Sequence, residues 1–267
     1  MRKGIILMAL LLTMVADTTR VNAQTDNWQL VFSDEFNGKN GSQPDTTKWN
    51  QPQRGTATWS RWIKNTPKTV YIKNGALVCR AIPNRSEPTD TARMLTGAID
   101  TKGKFAFKYG KVEVRMRTNI KVGNFPAAWL VRIPGDKDSR YAEIDIVEMF
   151  GNEKRSVHTV HSDRSFRLKK EGIKRDTRID VDVRKWHVYG IEWDSQKIVW
   201  TVDGREVLTY ERMDTEQMQE EGQWTFDREL YLILNQSVGA GGHPLLVPNI
   251  KKKYETQFDW IRVYQRQ

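Results

Sequence analysis

Short runs in which apolar and polar residues alternate dominate this sequence. Turn-forming residues separate the runs, and only 214–221 favours a helix. The twelve runs are 30–32, 69–72, 76–81, 97–101, 110–117, 127–133, 142–149, 156–162, 186–193, 197–202, 230–235 and 258–264. Because a period of two turns one face of each strand toward a core, the pattern predicts an all-β fold. So many strands indicate two stacked sheets, with one concave face free for an extended polymer.

The first 23 residues have the layout of a secretory signal peptide. Arg2 and Lys3 precede an apolar run from Ile5 to Met14, and small residues end the segment before Gln24. We therefore expect an exported protein, periplasmic or extracellular, with no membrane span after cleavage; an uncleaved anchor is the alternative. The remaining residues, 24–267, contain no repeat or long linker, so we expect a single domain and a monomer.

The chain is basic, with 43 Lys and Arg against 33 Asp and Glu and a formal net charge of +10. Three positive charges and one negative charge lie within 1–23, so the charge of the remainder is +8. Such a balance is typical of proteins that bind nucleic acid or anionic glycans, or it only keeps the protein soluble. Export argues against a nucleic-acid partner. The single cysteine, Cys79, lies in an apolar run and is expected in the core.

Three carboxylates, Glu143, Asp145 and Glu148, lie within six residues of one predicted strand. Strict alternation would point Glu148 away from the other two. One extra residue in a β-bulge around Ile146 and Val147 would return it to their face, and bulges are common beside active sites. The alternative is a solvent-facing strand whose outward positions are acidic.

Paired carboxyl groups on one face suit glycoside hydrolysis. A retaining glycosidase holds its nucleophile and its acid/base about 5 to 5.5 Å apart, whereas an inverting enzyme needs a wider gap. The spacing of Glu143 and Glu148 leaves both mechanisms open. The negative charge of Asp145 should raise the proton affinity of a neighbouring carboxyl group and so help to keep one of them protonated.

The chain resembles glycoside hydrolase family 16, in particular its laminarinase-like branch. The resemblance rests on 28–38 (W-Q-L-V-F-S-D-E-F-N-G), 97–117, 126–129, the strand 143–148 (E-I-D-I-V-E), and the later blocks 189–204, 232–239 and 258–265. It implies one catalytic domain over 24–267, folded as a concanavalin A-like β-jelly roll of two curved antiparallel sheets. It also implies retention, with Glu143 as nucleophile, Glu148 as acid/base, and Asp145 orienting and tuning them.

The resemblance implies further site residues. Trp129 matches a tryptophan near the scissile bond, and His161 matches a histidine close to the acid/base carboxylate; the alternatives are a core aromatic and an ordinary strand residue. His158 and His161 are three apart on a strand and face opposite ways, so they form a poor metal pair. Glu35 and Asp259 match acidic positions of a structural calcium site. No cofactor is expected for the chemistry.

Four aromatic or basic positions bear on the substrate. Phe125 stands where laminarinase-like enzymes usually have a tryptophan, Trp59 and Trp62 lie in a polar loop, and Arg164 opens a basic segment over 164–185. The aromatics suit sugar stacking, and the basic segment either binds an anionic glycan or is solvated surface.

We therefore expect a retaining endo-β-glycosidase whose partner is an oligo- or polysaccharide. A β-galactoside-containing substrate, either a mucin-type O-glycan or a sulfated galactan, is favoured over a β-1,3- or mixed-linkage glucan. A non-catalytic carbohydrate-binding protein is the alternative of another class.

Overall fold

The structure, a computed structural model, describes residues 27–85, 89–239 and 247–267, so the predicted signal peptide at 1–23 lies outside the described residues. The described residues form fourteen strands and two short helices. The strands are β1 Trp28–Asp34, β2 Val70–Lys73, β3 Ala76–Pro83, β4 Met94–Asp100, β5 Gly110–Thr118, β6 Asn124–Arg132, β7 Ala142–Glu148, β8 Arg155–Ser162, β9 Asp176–Asp180, β10 His187–Trp193, β11 Lys197–Val202, β12 Arg205–Glu211, β13 Leu230–Val238 and β14 Tyr254–Arg266; the helices are α1 Asp163–Phe166 and α2 Glu216–Glu220. Within these ranges, no helix has both the length and the apolar character needed to cross a membrane.

The strands form two antiparallel layers that are continuous with each other. One layer has the order β12-β11-β10-β5-β14-β3, with β1 added on β14 and β2 on β3. The other has the order β4-β13-β6-β7-β8-β9. Pairing of β3 with β4, which sets Ala81 opposite Thr96, joins them into one strongly curved sheet. The predicted all-β jelly roll of two curved antiparallel sheets is therefore confirmed.

Alternation along the strands places the core between the layers. In β5 every second residue is buried, and Val112, Val114 and Met116 pack in one apolar cluster with Leu130 and Ile144 of the opposite layer. Strand β13 is buried along its whole length, because a second apolar cluster covers its other face. That cluster comprises Ala127, Trp129, Tyr231 and Ile233. It lies on the concave side and lines the cleft described below.

All twelve predicted strands are present, and the predicted helix over 214–221 appears as α2. Strands β9 and β12 and helix α1 were not predicted as such. In β9 no residue is fully buried, so its sequence lacks the apolar alternation that marks the others. The hairpin between β11 and β12 turns at Asp203 and Gly204, whose φ angles of 50° and 78° are those of a two-residue turn with the favoured Asp-Gly pair.

Candidate active site

The strand that carries the three carboxylates, β7, contains the predicted bulge. On the β6 side, Val147 lies opposite Ala128 and Asp145 lies opposite Trp129, so Ile146 is the extra residue. The register against β8 shifts in the same place, between Asp145 and Glu148. As a result Glu143, Asp145 and Glu148 line the same cleft instead of opposite faces.

Two buried side chains bind the backbone of the bulge from inside the fold. Nε1 of Trp200 donates to the carbonyl oxygen of Asp145 at 2.8 Å. Nδ1 of His158 lies 2.7 Å from the carbonyl oxygen of Ile146. His158 therefore faces the core while His161 faces the cleft, as the three-residue spacing predicted. Neither Trp200 nor His158 was identified as functional from the sequence.

The cleft has a volume of about 560 Å³, and six of its fourteen lining residues are aromatic. Trp129 donates from Nε1 to Oδ1 of Asn235 at 2.8 Å, and the ring of Trp59 packs edge-on against it at 5.2 Å. Phe125 lies farther along the cleft and stacks on Phe150 with ring centroids 5.1 Å apart. The structure therefore brings Trp59, Phe125 and Trp129 to the carboxylates.

Glu143 is held by two neighbours. The hydroxyl of Tyr141 donates to its Oε2 at 2.5 Å, and Nε2 of His161 lies 3.7 Å from its Oε1. Burial and the charge of Asp145 raise the pKa of Glu143 to about 7, while His161 and the Tyr141 hydrogen bond act in the opposite direction. Glu143 is thus a buried carboxyl group that titrates near neutral pH.

The pKa of Glu148 is raised as well. Burial, followed by the charges of Asp145 and Glu143, raises the pKa of Glu148 well above its usual range. The charge of Glu143 is one of the causes of the raised pKa of Glu148, so ionisation of Glu143 favours the protonated form of Glu148. A proton donor beside an ionised carboxylate is the pair that double displacement requires.

His161 lies beside Asp145 and Glu143. Its Nε2 is 3.4 Å from Oδ2 of Asp145, and its closest carboxylates are therefore Asp145 and Glu143. Burial lowers the pKa of His161, but the hydrogen bond to Asp145 and the two negative charges outweigh it, so the pKa is raised overall. Strand β8 pairs His161 directly with Glu143, which accounts for its position beside these two carboxylates.

Three predicted substrate residues are not among the residues that line the cleft: His161, which contacts Glu143 and Asp145, and Trp62 and Arg164. Trp62 packs against the apolar cluster of Ala81, Met94, Val238 and Tyr254, with the guanidinium of Arg61 4.5 Å above its ring. Arg164 donates to Oε2 of Glu221 at 2.7 Å and to the carbonyl oxygen of Glu171 at 2.9 Å. Trp62 is therefore packed against the core, and Arg164 binds residues of its own and a neighbouring segment. Neither side chain lines the cleft as predicted.

The predicted calcium ligands are occupied by arginine side chains. Both carboxylate oxygens of Glu35 accept from Arg262, at 2.8 and 2.9 Å. Asp259 accepts from Arg115 through one carboxylate oxygen, Oδ2. Each guanidinium places positive charge where a calcium ion would need oxygen ligands, so these residues do not fit the metal.

Eight of the fourteen lining residues were not predicted, and four of these carry aromatic or amide side chains: Tyr141, Phe166, Tyr231 and Asn235. Tyr141 lies two residues before Glu143, so alternation alone would have placed it on the same face. Tyr231 and Asn235 share a face of a predicted strand in the same way. Phe166 had no such signal, because α1 sets it on the ring of Tyr141, with centroids 3.8 Å apart.

Comparisons with known proteins agree with this geometry. Keratan-sulfate endo-1,4-beta-galactosidase from Sphingobacterium multivorum is 32% identical over 94% of this chain and 59% of its own length. Glucan endo-1,3-beta-glucosidase A1 from Niallia circulans is 30% identical over 89% of this chain and 38% of its own length. The chain thus spans about 59% and 38% of these two curated relatives.

A solved structure from work on endo-acting O-glycanases, which prominent members of the human gut microbiota express to initiate mucin breakdown, superposes with a TM-score of 0.75. It is 25% identical to this chain and covers 90% of it and 100% of the solved chain. The sequence profile described as glycosyl hydrolases family 16 matches residues 35–241, which include the carboxylate strand. With most of its length inside that match, the chain belongs to glycosyl hydrolases family 16.

Proposed function

We propose that this protein is a retaining endo-β-glycosidase that hydrolyses internal β-linkages of a polysaccharide or complex glycan. The observation that carries the proposal is the bulge in β7, which gathers Glu143, Asp145 and Glu148 in one aromatic-lined cleft. Because the charge of Glu143 helps to raise the pKa of Glu148, the pair favours one ionised and one protonated carboxyl group, as the reaction needs. The names of the relatives support endo action.

The proposed reaction has two steps. In the first, a carboxylate oxygen of Glu143 bonds to the anomeric carbon while the glycosidic bond breaks, and Glu148 gives its proton to the departing oxygen. In the second, Glu148 removes a proton from water, whose oxygen bonds to the anomeric carbon and releases Glu143 as a carboxylate. Two inversions leave the anomeric configuration unchanged.

The neighbours of Glu143 have supporting roles in this scheme. The Tyr141 hydroxyl and the His161 ring stabilise its ionised form and orient it. The charge of Asp145 contributes to the raised pKa of Glu148, which keeps the proton available. Trp129, held by Asn235, and Trp59 present aromatic surface on which a sugar ring can stack.

For the substrate we favour a β-galactoside-containing glycan. The similarity to the keratan-sulfate galactosidase supports this choice, as does Phe125 at a position where a larger tryptophan is usual. The described residues that line the cleft include no lysine or arginine, which favours neutral sugars beside the scissile bond. Lys169 places its Nζ 4.8 Å from the ring centroid of Phe166 at the rim of the cleft, where an anionic substituent would meet it.

An endo-β-1,3- or mixed-linkage glucanase is the second candidate. The perpendicular tryptophan pair of Trp59 and Trp129 and the 30% identity to the glucan endo-1,3-beta-glucosidase favour it. A carbohydrate-binding protein without activity is the candidate of another class. The three carboxylates argue against it, since simple binding does not require two carboxyl groups whose pKa values are both raised.

The test is a substrate panel with a matched variant. The protein is incubated with keratan sulfate, mucin, agar-type galactan, laminarin and barley β-glucan, and new reducing ends are measured. We expect activity on a galactose-containing glycan, a first product of β configuration by NMR, and loss of hydrolysis with retained binding in Glu143→Gln. Activity on laminarin alone would exclude the galactan assignment, and unchanged turnover in Glu143→Gln would exclude the nucleophile.

We also propose that the protein is exported and acts as a monomer. The charged and apolar layout of residues 1–23 supports export to the periplasm or beyond. Cell fractionation, N-terminal sequencing and light scattering of the purified protein test these points. A protein found in the cytoplasm with residues 1–23 still attached would contradict export.

A further inference from the structure

The bulge in β7 needs stabilisation that its own strand pairing does not provide. Ile146 has no opposite residue on β6 or on β8, because both registers skip it. We propose that Trp200 and His158 are positioning residues that hold β7 in its bulged register and thereby keep Glu148 in the cleft. This inference rests on the function proposed above and deepens it.

Trp200 reaches the bulge from the opposite layer. It lies in the middle of β11, opposite Ile191 of β10 and Leu208 of β12, and is fully buried. Its Nε1 donates to the carbonyl oxygen of Asp145 at 2.8 Å. Because two neighbouring strands hold the ring from both sides, the position of this donor is fixed, and so is the carbonyl it binds.

His158 holds the next carbonyl, that of Ile146. A carbonyl oxygen can only accept, so Nδ1 carries the hydrogen in the 2.7 Å contact. Nε2 lies 3.0 Å from Oγ of Ser156, which then donates to it. Burial lowers the pKa of His158 to about 4, so the ring stays neutral around pH 7 and keeps this tautomer.

Together the two donors select one register over the other. In a regular strand every side chain after the extra residue would move to the opposite face, and Glu148 would leave the cleft. Losing either donor removes a hydrogen bond from a buried carbonyl of the bulge, which favours rearrangement of the bulge. Neither side chain lines the cleft, so both act on Glu148 only through the backbone.

The first test compares two buried tryptophans. Trp200→Phe removes the donor to the bulge, and Trp193→Phe is the matched control, because Nε1 of Trp193 makes no hydrogen bond within the described part of the chain. Each variant is assayed on the glycan and on a 2,4-dinitrophenyl glycoside of the matching sugar. The dinitrophenolate leaves without a proton, so its departure does not depend on Glu148.

We expect Trp200→Phe to lose about 100-fold in kcat/KM on the glycan, the scale of a displacement of about 1 Å, and little on the dinitrophenyl glycoside. The kcat of Trp200→Phe on that glycoside should nevertheless be low, because the second step still needs a general base. Azide should raise this kcat, since azide attacks the glycosyl-enzyme without a general base and yields the β-glycosyl azide. Trp193→Phe should show the same ratio of the two activities as wild type. Thermal melting reports whether each variant folds.

The second test keeps or removes the donor at position 158. His158→Asn retains an N–H close to the position of Nδ1, whereas His158→Leu does not. We expect His158→Leu to behave as Trp200→Phe does, and His158→Asn to recover at least about tenfold of the lost glycan activity. Unchanged glycan activity in both donor-removing variants, or equal losses on both substrates, would overturn the positioning role. A wild type that cleaves neither substrate would instead overturn the proposed function, and this inference with it.

Discussion

Replacing Tyr141 by phenylalanine removes the hydroxyl that donates a hydrogen bond to Oε2 of Glu143 at 2.5 Å. This hydrogen bond is made to the ionised form of Glu143, so it lowers the pKa of that carboxyl group. Burial and the charge of Asp145 already raise this pKa to about 7. Without the hydroxyl, the pKa of Glu143 should rise further, and a larger share of the enzyme should hold a protonated, inactive nucleophile below neutral pH.

The size of the change follows from the strength of one charge-assisted hydrogen bond. Such a bond contributes about 1.5 to 3 kcal/mol, which corresponds to about 1 to 2 pKa units. The Glu143 side chain is only 15% exposed, so solvent screening reduces this little. Phenylalanine keeps the stacking on Phe166 and hence the shape of the cleft. At a pH below both pKa values, kcat/KM should therefore fall about 10- to 100-fold.

The assay is the pH dependence of kcat/KM on a soluble oligosaccharide between pH 4 and 10. The acidic limb should move upward by about 1 to 2 units in Tyr141→Phe, while the two enzymes converge at higher pH. Tyr231→Phe is the control, because Tyr231 lines the same cleft but its hydroxyl makes no hydrogen bond to Glu143. An acidic limb that stays in place, or moves downward, in Tyr141→Phe would refute the reasoning.

Three further outcomes are expected. The pKa of Glu143 is higher in the folded than in the unfolded state, so the contribution of Glu143 to the free energy of unfolding is full below about pH 4.5 and is lost as pH rises through 7. In urea denaturation between these pH values, Glu143→Gln should therefore lose less stability than wild type. A calcium chelator should leave the melting temperature unchanged, since arginines bind Glu35 and Asp259. Lys169→Gln should raise KM for a sulfated glycan several-fold and leave its unsulfated counterpart unaffected, in matched kinetic assays.

Backbone architecture was largely predictable from this sequence because one physical signal repeats along it. Alternation marks each strand with one face in the core, and the same rule exposed the anomaly at Glu148, which only an extra residue could resolve. Strand β9 escaped the rule because it lies at the edge of its layer with both faces partly exposed. Alternation of apolar and polar residues arises because one face of a strand is buried, so it does not mark a strand such as β9 in which neither face is fully buried.

The partners of charged and aromatic side chains were not predictable in the same way. Arg164 was expected to bind substrate, but it pairs with Glu221, 57 residues away in the chain. Glu35 was expected to bind calcium, but Arg262 holds it. Residue type states what a side chain can bind, whereas the tertiary fold decides which group of that kind is within reach.

The carboxylate strand β7 combines a backbone feature that the sequence predicts with side-chain partners that it does not. Its sequence requires a bulge if all three acids are to share one face, yet the donors that bind the bulge lie outside it: His158 on β8, and Trp200 on β11, 55 residues from Asp145. A chain with the same spacing of acids but no N–H donors at these two positions would lack the means to hold that register. The spacing E-x-D-x-x-E is therefore a necessary part of the site, and the buried donors behind it are what make the third acid available for catalysis.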